Sequence, residues 1–373
     1  MNNTVGNVLD VCARAPRYIR DIAPYQPGMP ISELARELGL QESSIIKLAS
    51  NENPRGASPK AVEAMHAAIG ETARYPDGNG FALKQALSRS YGLSADRIVI
   101  GNGSNDVLEM VARAFLAPGC STVYSQHAFA VYPLVTQATG AAGIAVPARE
   151  FGHDLDAMAR AIRDDTRIVF VANPNNPTGT WLAPTSIREF LKNVPGNVVV
   201  ILDEAYNEYL EPDQRGDALR WVEEFPNLVV SRTFSKAYGL AGLRVGYGVM
   251  RAPIADLANR VRQPFNVSHI AQAAAVAALL DEEFVEQSAQ LNKSGMLGLT
   301  TGFRRLGLSW IASHGNFVSV KVGPAAEIFQ RLLRQGVIVR PIASYGMPEY
   351  LRVTIGTEAE NARFLSALEL VLQ

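Results

Sequence analysis

One lysine in this sequence has surroundings that suit a reactive amine. Lys236 lies in SRTFSKAYGLAGLRVGYG (231–248), where it follows a predicted strand and has apolar, glycine and alanine neighbours instead of acidic ones. A solvated surface amine is the simpler interpretation of any single lysine. Here the apolar flanks argue against a surface position, and a second cation, Arg244, would lower the pKa of Lys236 and favour its uncharged form. The segment therefore predicts a nucleophilic amine.

An acidic pair ends a second apolar run, VVVILDEAY (198–206). A carboxylate at the end of a buried strand is costly unless it meets a cation, so Asp203 and Glu204 need positive partners. A metal ion is one such partner, but no histidine or further acidic cluster completes a ligand set, and no metal site is predicted. A cationic nitrogen of a ligand is the other, and Tyr206 would lie near it if the chain turns after Asp203.

Two further segments follow predicted strands and carry polar groups. GNGSND (101–106) offers glycines and a helix start that suit a phosphate, although a glycine-rich turn capped by Ser104 or Asn105 explains the same residues. It lacks the lysine and the spacing of a nucleotide-binding P-loop. ANPNNPTG (172–179) contains two Asn-Pro pairs that force an extended, turning backbone. This segment is either a rigid loop or one that directs the amide of Asn176 at a ligand oxygen.

The elements that would position these residues form an α/β pattern. Helical stretches such as 104–116 and 155–162 alternate with short β-branched runs, several of them apolar on both faces, which is typical of a mostly parallel sheet covered by helices. The candidate strands are 98–103, 122–127, 143–148, 168–173, 198–205, 228–234 and 245–250. We predict a doubly wound domain whose ligands lie at the strand ends.

The two ends of the chain do not continue the alternating strand and helix pattern. An N-terminal arm leads to a predicted helix at 31–38, and a smaller α+β domain is expected near the C-terminus. Its candidate elements are helices at 270–280 and 282–306, strands at 317–322, 336–342 and 351–356, and a closing helix. The predicted organisation is an arm and helix (1–45), a large domain (46–265) and a small C-terminal domain (266–373).

The amino-acid composition and net charge limit the kinds of molecule that the protein is expected to bind. The 373 residues are 47% hydrophobic and 19% charged, with a net charge of −1 and a pI near 6.6, which gives no electrostatic footprint for nucleic acid or an anionic membrane. Cys12 and Cys120 are too few for a disulfide framework. The N-terminus lacks the apolar core of a signal peptide, and no membrane-length apolar run occurs. We expect a cytoplasmic protein with a small-molecule partner.

Taken together, the motifs resemble the fold-type I aminotransferases and, within them, the histidinol-phosphate aminotransferase family. The resemblance covers essentially the whole chain. It rests on NENP (51–54), RYPDGNG (74–80), GNGSNDVLE (101–109), ANPNNPTG (172–179), DEAY (203–206), SKAYGLAGLRVGY (235–247) and LRVTIG (351–356). It implies a pyridoxal 5′-phosphate cofactor and a large domain with a mostly parallel seven-stranded sheet between helices, followed by a smaller α+β domain.

The resemblance also implies a role for each cofactor-site residue. Lys236 would hold the cofactor as a Schiff base and later move the substrate Cα proton, while Asp203 would keep the pyridine nitrogen protonated. Phe129 stands where the family usually stacks a tyrosine on the ring, so the stacking face is kept and a hydroxyl is lost. The phenolic oxygen would be bound by Asn176 and Tyr206, and the phosphate by Ser104, Asn105, Ser235 and Arg244, with Thr233 as a weaker candidate.

Further residues are implied for the substrate and for a second subunit. Arg352 would anchor the acidic group of the substrate and Arg340 would assist with a distal phosphate. Tyr25 and Asn51 would close over the substrate. Tyr75 would reach the cofactor phosphate of a neighbouring subunit, which makes the predicted enzyme a homodimer with shared active sites.

The implied reaction transfers an amino group between L-histidinol phosphate and 2-oxoglutarate, giving imidazole-acetol phosphate and L-glutamate, in histidine biosynthesis. An aromatic amino acid aminotransferase on the same scaffold is an alternative, as is a threonine-phosphate decarboxylase. A non-catalytic protein that binds a phosphorylated ligand is a further alternative. It leaves the combination of Asp203, Tyr206 and Lys236 without a purpose.

Overall fold

The computed structural model of the chain describes residues 11–373, so the first ten residues of the predicted arm lie outside it. The strands are β1 (Ile46–Lys47), β2 (Ile98–Gly101), β3 (Ser121–Ser125), β4 (Ala142–Val146), β5 (Thr166–Ala172), β6 (Val199–Asp203), β7 (Leu228–Thr233), β8 (Gly246–Met250), β9 (Trp310–Ile311), β10 (Phe317–Lys321), β11 (Val337–Ile338), β12 (Arg340–Pro341) and β13 (Tyr350–Thr354). The α-helices that begin and end within these residues are α1 (Arg17–Arg20), α2 (Ile31–Leu38), α3 (Pro59–Ala68), α4 (Phe81–Tyr91), α5 (Ser104–Phe115), α6 (Val131–Ala138), α7 (Leu155–Arg160), α8 (Pro184–Asn193), α9 (Ala218–Glu224), α10 (Ala252–Arg260), α11 (His269–Leu279), α12 (Glu282–Arg305), α13 (Ala325–Arg334) and α14 (Glu358–Leu372).

The seven strands predicted between residues 98 and 250 form one sheet, in the order β2–β8–β7–β6–β5–β3–β4. Its pairs are parallel, except that β8 runs antiparallel to both of its neighbours. Strands β5, β6 and β7 are adjacent and parallel, so their carboxyl ends lie side by side. Strand β2 is parallel to β7 across β8, so the segment that follows β2 lies at the same end of the sheet. This confirms the predicted fold class and places all four chemically suggestive segments at one end of the sheet.

Both faces of the large sheet are buried, because successive residues of a strand point to opposite sides. On β5, Ile168 and Phe170 pack in one hydrophobic cluster, whereas Val169 and Val171 pack in another. Helices α5, α6 and α10 cover the first face, and α4, α8, α9 and α11 cover the second. The strands are therefore apolar on both faces, as the sequence indicated.

The C-terminal region forms a smaller antiparallel sheet, in the order β12–β13–β10–β9, which packs on α12, α13 and α14. Strand β9 was not predicted. The single predicted strand at 336–342 is wrong: β11 pairs with β1 in a separate parallel pair, while β12 pairs with β13. The two halves therefore bond to different sheets, and Pro341 has no N–H to extend the second ladder. β1 belongs to the predicted large domain (46–265), although its partner β11 belongs to the predicted small domain. The predicted domain boundaries stay predictions.

The helices begin where the sequence supplies caps. Ser58, Asp154, Ser268 and Thr357 each accept a hydrogen bond from a backbone N–H in the first turn of α3, α7, α11 and α14. The alanine-rich α11 is buried along one side. None of the helices within residues 11–373 combines the length and apolarity needed to cross a membrane.

Candidate active site

The carboxyl ends of β5, β6 and β7 open into a cleft of about 190 Å³, which β12 and β13 of the smaller sheet also line. It contains all but one of the residues that the sequence predicted for cofactor or substrate. Those lining it are Tyr25, Asn51, Ser104, Asn105, Phe129, Asn176, Asp203, Tyr206, Thr233, Ser235, Lys236, Arg244, Arg340 and Arg352. Tyr75, the remaining predicted residue, does not line this cleft.

Lys236 projects into this cleft from the segment that follows β7. Its Nζ donates a hydrogen bond to the carbonyl oxygen of Ser50 at 3.1 Å and lies 5.9 Å from the ring centre of Tyr206. Burial, followed by the nearby positive charge of Arg352, lowers the pKa of Lys236 to about 7. The amine is therefore largely uncharged at only slightly alkaline pH, as a nucleophile requires.

Asp203 is the last residue of β6 and is 5% exposed. Its Oδ2 accepts a hydrogen bond from the hydroxyl of Tyr132 at 2.8 Å, whereas its buried Oδ1 has no hydrogen-bond partner among residues 11–373. Burial raises the pKa of Asp203 to about 6, against the lowering effect of Tyr132. Sequence reasoning missed Tyr132, although it ends the segment HAFAVY (127–132) from which Phe129 was selected. The free Oδ1 is a place for a cationic ligand nitrogen.

A hydrogen-bonded network joins the two sheets across the cleft. Arg352 on β13 donates to Asn176 Oδ1 at 2.6 Å and to the carbonyl oxygen of Ala49 at 2.7 Å. Asn51 Nδ2 donates to the hydroxyl oxygen of Tyr206 at 2.9 Å. Burial raises the pKa of Tyr206 to about 12, so its hydroxyl keeps its proton. Tyr206 therefore still has a proton to donate to a ligand oxygen.

The start of α5 and the segment after β7 form a cup suited to an anion. Gly103 has φ +77° and is the N-cap of α5, and no side chain among residues 11–373 caps this helix. The alternative in which Ser104 or Asn105 is the capping residue is therefore wrong. The backbone N–H groups of the first turn are thus left for a ligand. Arg244 Nη1 donates to Ser235 Oγ at 3.2 Å, and a Cβ on Gly103 would collide with the Arg244 guanidinium.

Two arginines face the cleft from neighbouring strands. Arg340 on β12 and Arg352 on β13 are directly paired residues of the small sheet, so their side chains lie on the same face. The guanidinium of Arg340 lies 5.6 Å from the ring centre of Tyr25, and its Nη2 donates to the carbonyl oxygen of Gln26 at 2.6 Å. This arrangement offers two positive charges to one ligand.

Comparison with known proteins identifies the family. Residues 43–368 match the model of aminotransferase class I and II. A histidinol-phosphate aminotransferase of Methylobacillus flagellatus is 64% identical over 359 residues, covering 96% of this chain and 97% of that protein. Histidinol-phosphate aminotransferase 2 of Nitrosospira multiformis is 61% identical over 98% of this chain and 93% of that protein. The chain belongs to the histidinol-phosphate aminotransferases, within aminotransferase class I and II.

Solved structures agree with this membership of the aminotransferases. The crystal structure of histidinol-phosphate aminotransferase from Sinorhizobium meliloti in complex with pyridoxal-5′-phosphate superposes with a TM-score of 0.88 at 29% identity, covering 96% of this chain and 98% of that one. A Thermus thermophilus aspartate aminotransferase mutant shares the fold, with a TM-score of 0.83 at 22% identity, covering 95% of this chain and 99% of that one. The predicted family and fold are thus confirmed.

Proposed function

We propose that this aminotransferase uses pyridoxal 5′-phosphate to interconvert L-histidinol phosphate and 2-oxoglutarate with imidazole-acetol phosphate and L-glutamate, in histidine biosynthesis. The named relatives and the family model support the reaction and the cofactor. The assignments of individual residues below are part of the proposal. The observation that carries the choice of substrate is the paired arginines of the small sheet, which face the same cleft as Lys236.

The residues of the cleft fit the cofactor at four separate points. Lys236 offers an amine of lowered pKa to an aldehyde carbon. Asp203 offers an unpartnered, buried carboxylate oxygen to a protonated ring nitrogen. The cup beside Gly103 offers backbone N–H groups, Ser235 and Arg244 to a phosphate. Phe129 lines the same cleft and offers an apolar face for stacking.

When bound, the cofactor supplies an electron sink for the electrons of the substrate Cα–H bond. The side chains of the enzyme hold and move the proton. As a free amine, Lys236 Nζ would take the proton from the substrate Cα. Asp203 Oδ1 would hold the protonated ring nitrogen, and Asn176 Nδ2 and the Tyr206 hydroxyl would bind the phenolic oxygen. Each of these side chains makes a hydrogen bond within the protein that fixes its position, so little reorganisation is needed during proton transfer.

The two arginines favour a phosphorylated substrate over an aromatic amino acid. A phosphate monoester carries close to two negative charges at neutral pH, and the directly paired Arg340 and Arg352 offer two positive ones. Phenylalanine has a single carboxylate, which would leave Arg340 with only the carbonyl oxygen of Gln26 and the ring of Tyr25 as partners. Glutamate carries two carboxylates and can use both arginines in the other half-reaction.

The test compares turnover of L-histidinol phosphate, phenylalanine and threonine phosphate by the wild type, Arg340→Gln and the exposed control Arg334→Gln. We expect histidinol phosphate to be preferred, and Arg340→Gln to lower its kcat/KM by about 100-fold, since a charge-assisted phosphate contact is lost. Arg334→Gln should behave as wild type. Preference for phenylalanine, or carbon dioxide release from threonine phosphate, would replace the proposed substrate. Lys236→Ala should abolish every transamination, and undiminished turnover would reject the proposed mechanism.

We also propose a homodimer with shared active sites. The ring of Tyr75 is 81% exposed and stacks on the partly exposed Phe265, with ring centres 4.6 Å apart. The ring of Phe81 is 67% exposed at the start of α4. Exposed aromatic surface of this kind suits a subunit contact, in which Tyr75 reaches the phosphate of a neighbouring site.

Mixing two inactive variants tests the sharing of sites. A hybrid of Lys236→Ala and Tyr75→Ala subunits contains one site with both residues intact if Tyr75 acts in the neighbouring subunit. Mixing should therefore restore activity. No recovery, in spite of hybrid formation shown by mass spectrometry, would place Tyr75 outside the partner's site.

A cytoplasmic location is proposed as well, since free Cys12 and Cys120 suit a reducing compartment.

A further inference from the structure

Tyr132 is a fully buried tyrosine of α6 whose hydroxyl reaches the cofactor cleft. Its ring stacks on Phe170 of β5 with centres 4.6 Å apart and planes 10° from parallel. Its edge meets the ring of Phe129, with centres 5.8 Å apart and planes at 86°. The ring is therefore packed on two sides, and the position of its hydroxyl is set by the core of the large sheet.

The hydrogen bond from the Tyr132 hydroxyl determines which carboxylate oxygen of Asp203 is available to a ligand. The hydroxyl donates to Oδ2 at 2.8 Å, and the buried Oδ1 is without a hydrogen-bond partner in the part of the chain that the structure describes. A carboxylate with one oxygen fixed in this way can turn little about its side-chain bonds. A donor to the ionised carboxylate also favours its charged form, which burial disfavours. Besides Tyr132, the groups that act on the pKa of Asp203 are the backbone N–H of Ala205, Glu204 and Lys236.

We propose that Tyr132 is a positioning residue: its hydroxyl holds Asp203 ionised and oriented so that Oδ1 binds the protonated ring nitrogen of the cofactor, while its ring supports Phe129. The inference rests on the role proposed for Asp203. Without the hydroxyl, Asp203 would become a stronger base. It would then compete more strongly with the ring nitrogen for the shared proton, and the ring would withdraw electrons less strongly.

The test is the dissociation constant of pyridoxal 5′-phosphate from full-length Tyr132→Phe, which keeps the ring and removes only the hydroxyl. We expect about tenfold weaker binding than in the wild type, as for the loss of one hydrogen bond to a charged group. An analogue whose ring nitrogen is replaced by carbon should bind the variant and the wild type equally. Tyr247→Phe removes another buried hydroxyl outside the cleft and should bind both compounds as the wild type does.

Turnover gives a second readout. In Tyr132→Phe, kcat should fall by about tenfold while KM for histidinol phosphate stays within about twofold, because the substrate contacts are intact. Equal weakening of the cofactor and its carbon analogue, or no weakening of either, overturns the inference. Asp203→Asn separates the inference from its premise: if that variant binds the cofactor as tightly as the wild type, the role proposed for Asp203 is itself wrong.

Discussion

Arg352 donates a hydrogen bond from Nη1 to the amide oxygen of Asn176 at 2.6 Å, across the boundary between the small and the large sheet. A guanidinium can only donate, so this contact fixes the Asn176 amide with its oxygen towards Arg352. The Nδ2 group is thereby left as a donor on the cofactor side. Arg352, the proposed substrate anchor, thus also orients the amide that we propose binds the cofactor.

This relationship predicts the behaviour of Asn176→Asp. The aspartate would retain a partner in Arg352 but present an acceptor instead of a donor to the phenolic oxygen. We expect cofactor affinity to fall by about tenfold or more, as for loss of a hydrogen bond to a charged group. Asn193→Asp, at an exposed end of α8, should not change the affinity. Unchanged affinity in Asn176→Asp would mean that its amide does not bind the cofactor.

The lowered pKa of Lys236 predicts a pH dependence for covalent capture of the cofactor. Below about 7 the amine is protonated and must lose a proton before it can attack the aldehyde. The rate of capture by cofactor-free enzyme should therefore rise as the pH increases towards 7 and level off above it, when followed by stopped-flow absorbance. A rate that keeps rising to the ordinary lysine pKa near 10.5 would show that the amine is not perturbed.

Gly103→Ala tests the anion cup. An added Cβ would collide with the Arg244 guanidinium, and φ +77° is strained for alanine. Gly119→Ala is a matched control, because Gly119 has φ +91° with no atom within 4 Å of an added Cβ. Both variants should lose about 1–2 kcal/mol in the free energy of unfolding from the backbone alone. Only Gly103→Ala should also bind the cofactor more weakly, and equal affinities would argue against the cup.

The buried ion pair behind the site predicts a loss of stability without a loss of cofactor contacts. Arg232 Nη2 lies 2.7 Å from Glu204 Oε2, and both side chains are less than 10% exposed (8% and 6%). Glu204→Gln should lower the free energy of unfolding by about 3 kcal/mol, because it removes the carboxylate that is hydrogen-bonded to the buried charge of Arg232. Glu369→Gln, which breaks the exposed pair with Arg305, should change it by about 1 kcal/mol or less. Urea denaturation measures both values.

The sequence located the residues of the cleft well wherever a polar side chain follows an apolar strand. Asp203, Asn176 and Lys236 are found in this way, since parallel strands bring their carboxyl ends together. Tyr132 has no such signal, because it lies within a helix and its partner Asp203 is 71 residues away. The carbonyl oxygen of Ser50, which accepts from Lys236, cannot be predicted from side chains at all.

The fold, like the site, could be predicted from the sequence only in part. The apolar runs located all seven strands of the large sheet, but the reversed direction of β8 depends on the path of the chain between strands, which periodicity does not report. The run at 336–342 contains enough β-branched residues for one strand. It is divided because β1, distant in sequence, pairs with its first half.

The pairing of β1 with β11 has a consequence for the order of assembly. Ile46 leaves the ribosome early, yet its partner Val337 is made only after nearly all of the chain has been synthesised. The large sheet can form before then, from residues 98 to 250. Ala49 and Ser50, whose carbonyl oxygens receive Arg352 and Lys236, follow β1 directly. We therefore expect the large sheet to be able to form during synthesis before the pairing of β1 with β11 places Ala49 and Ser50 beside the cleft.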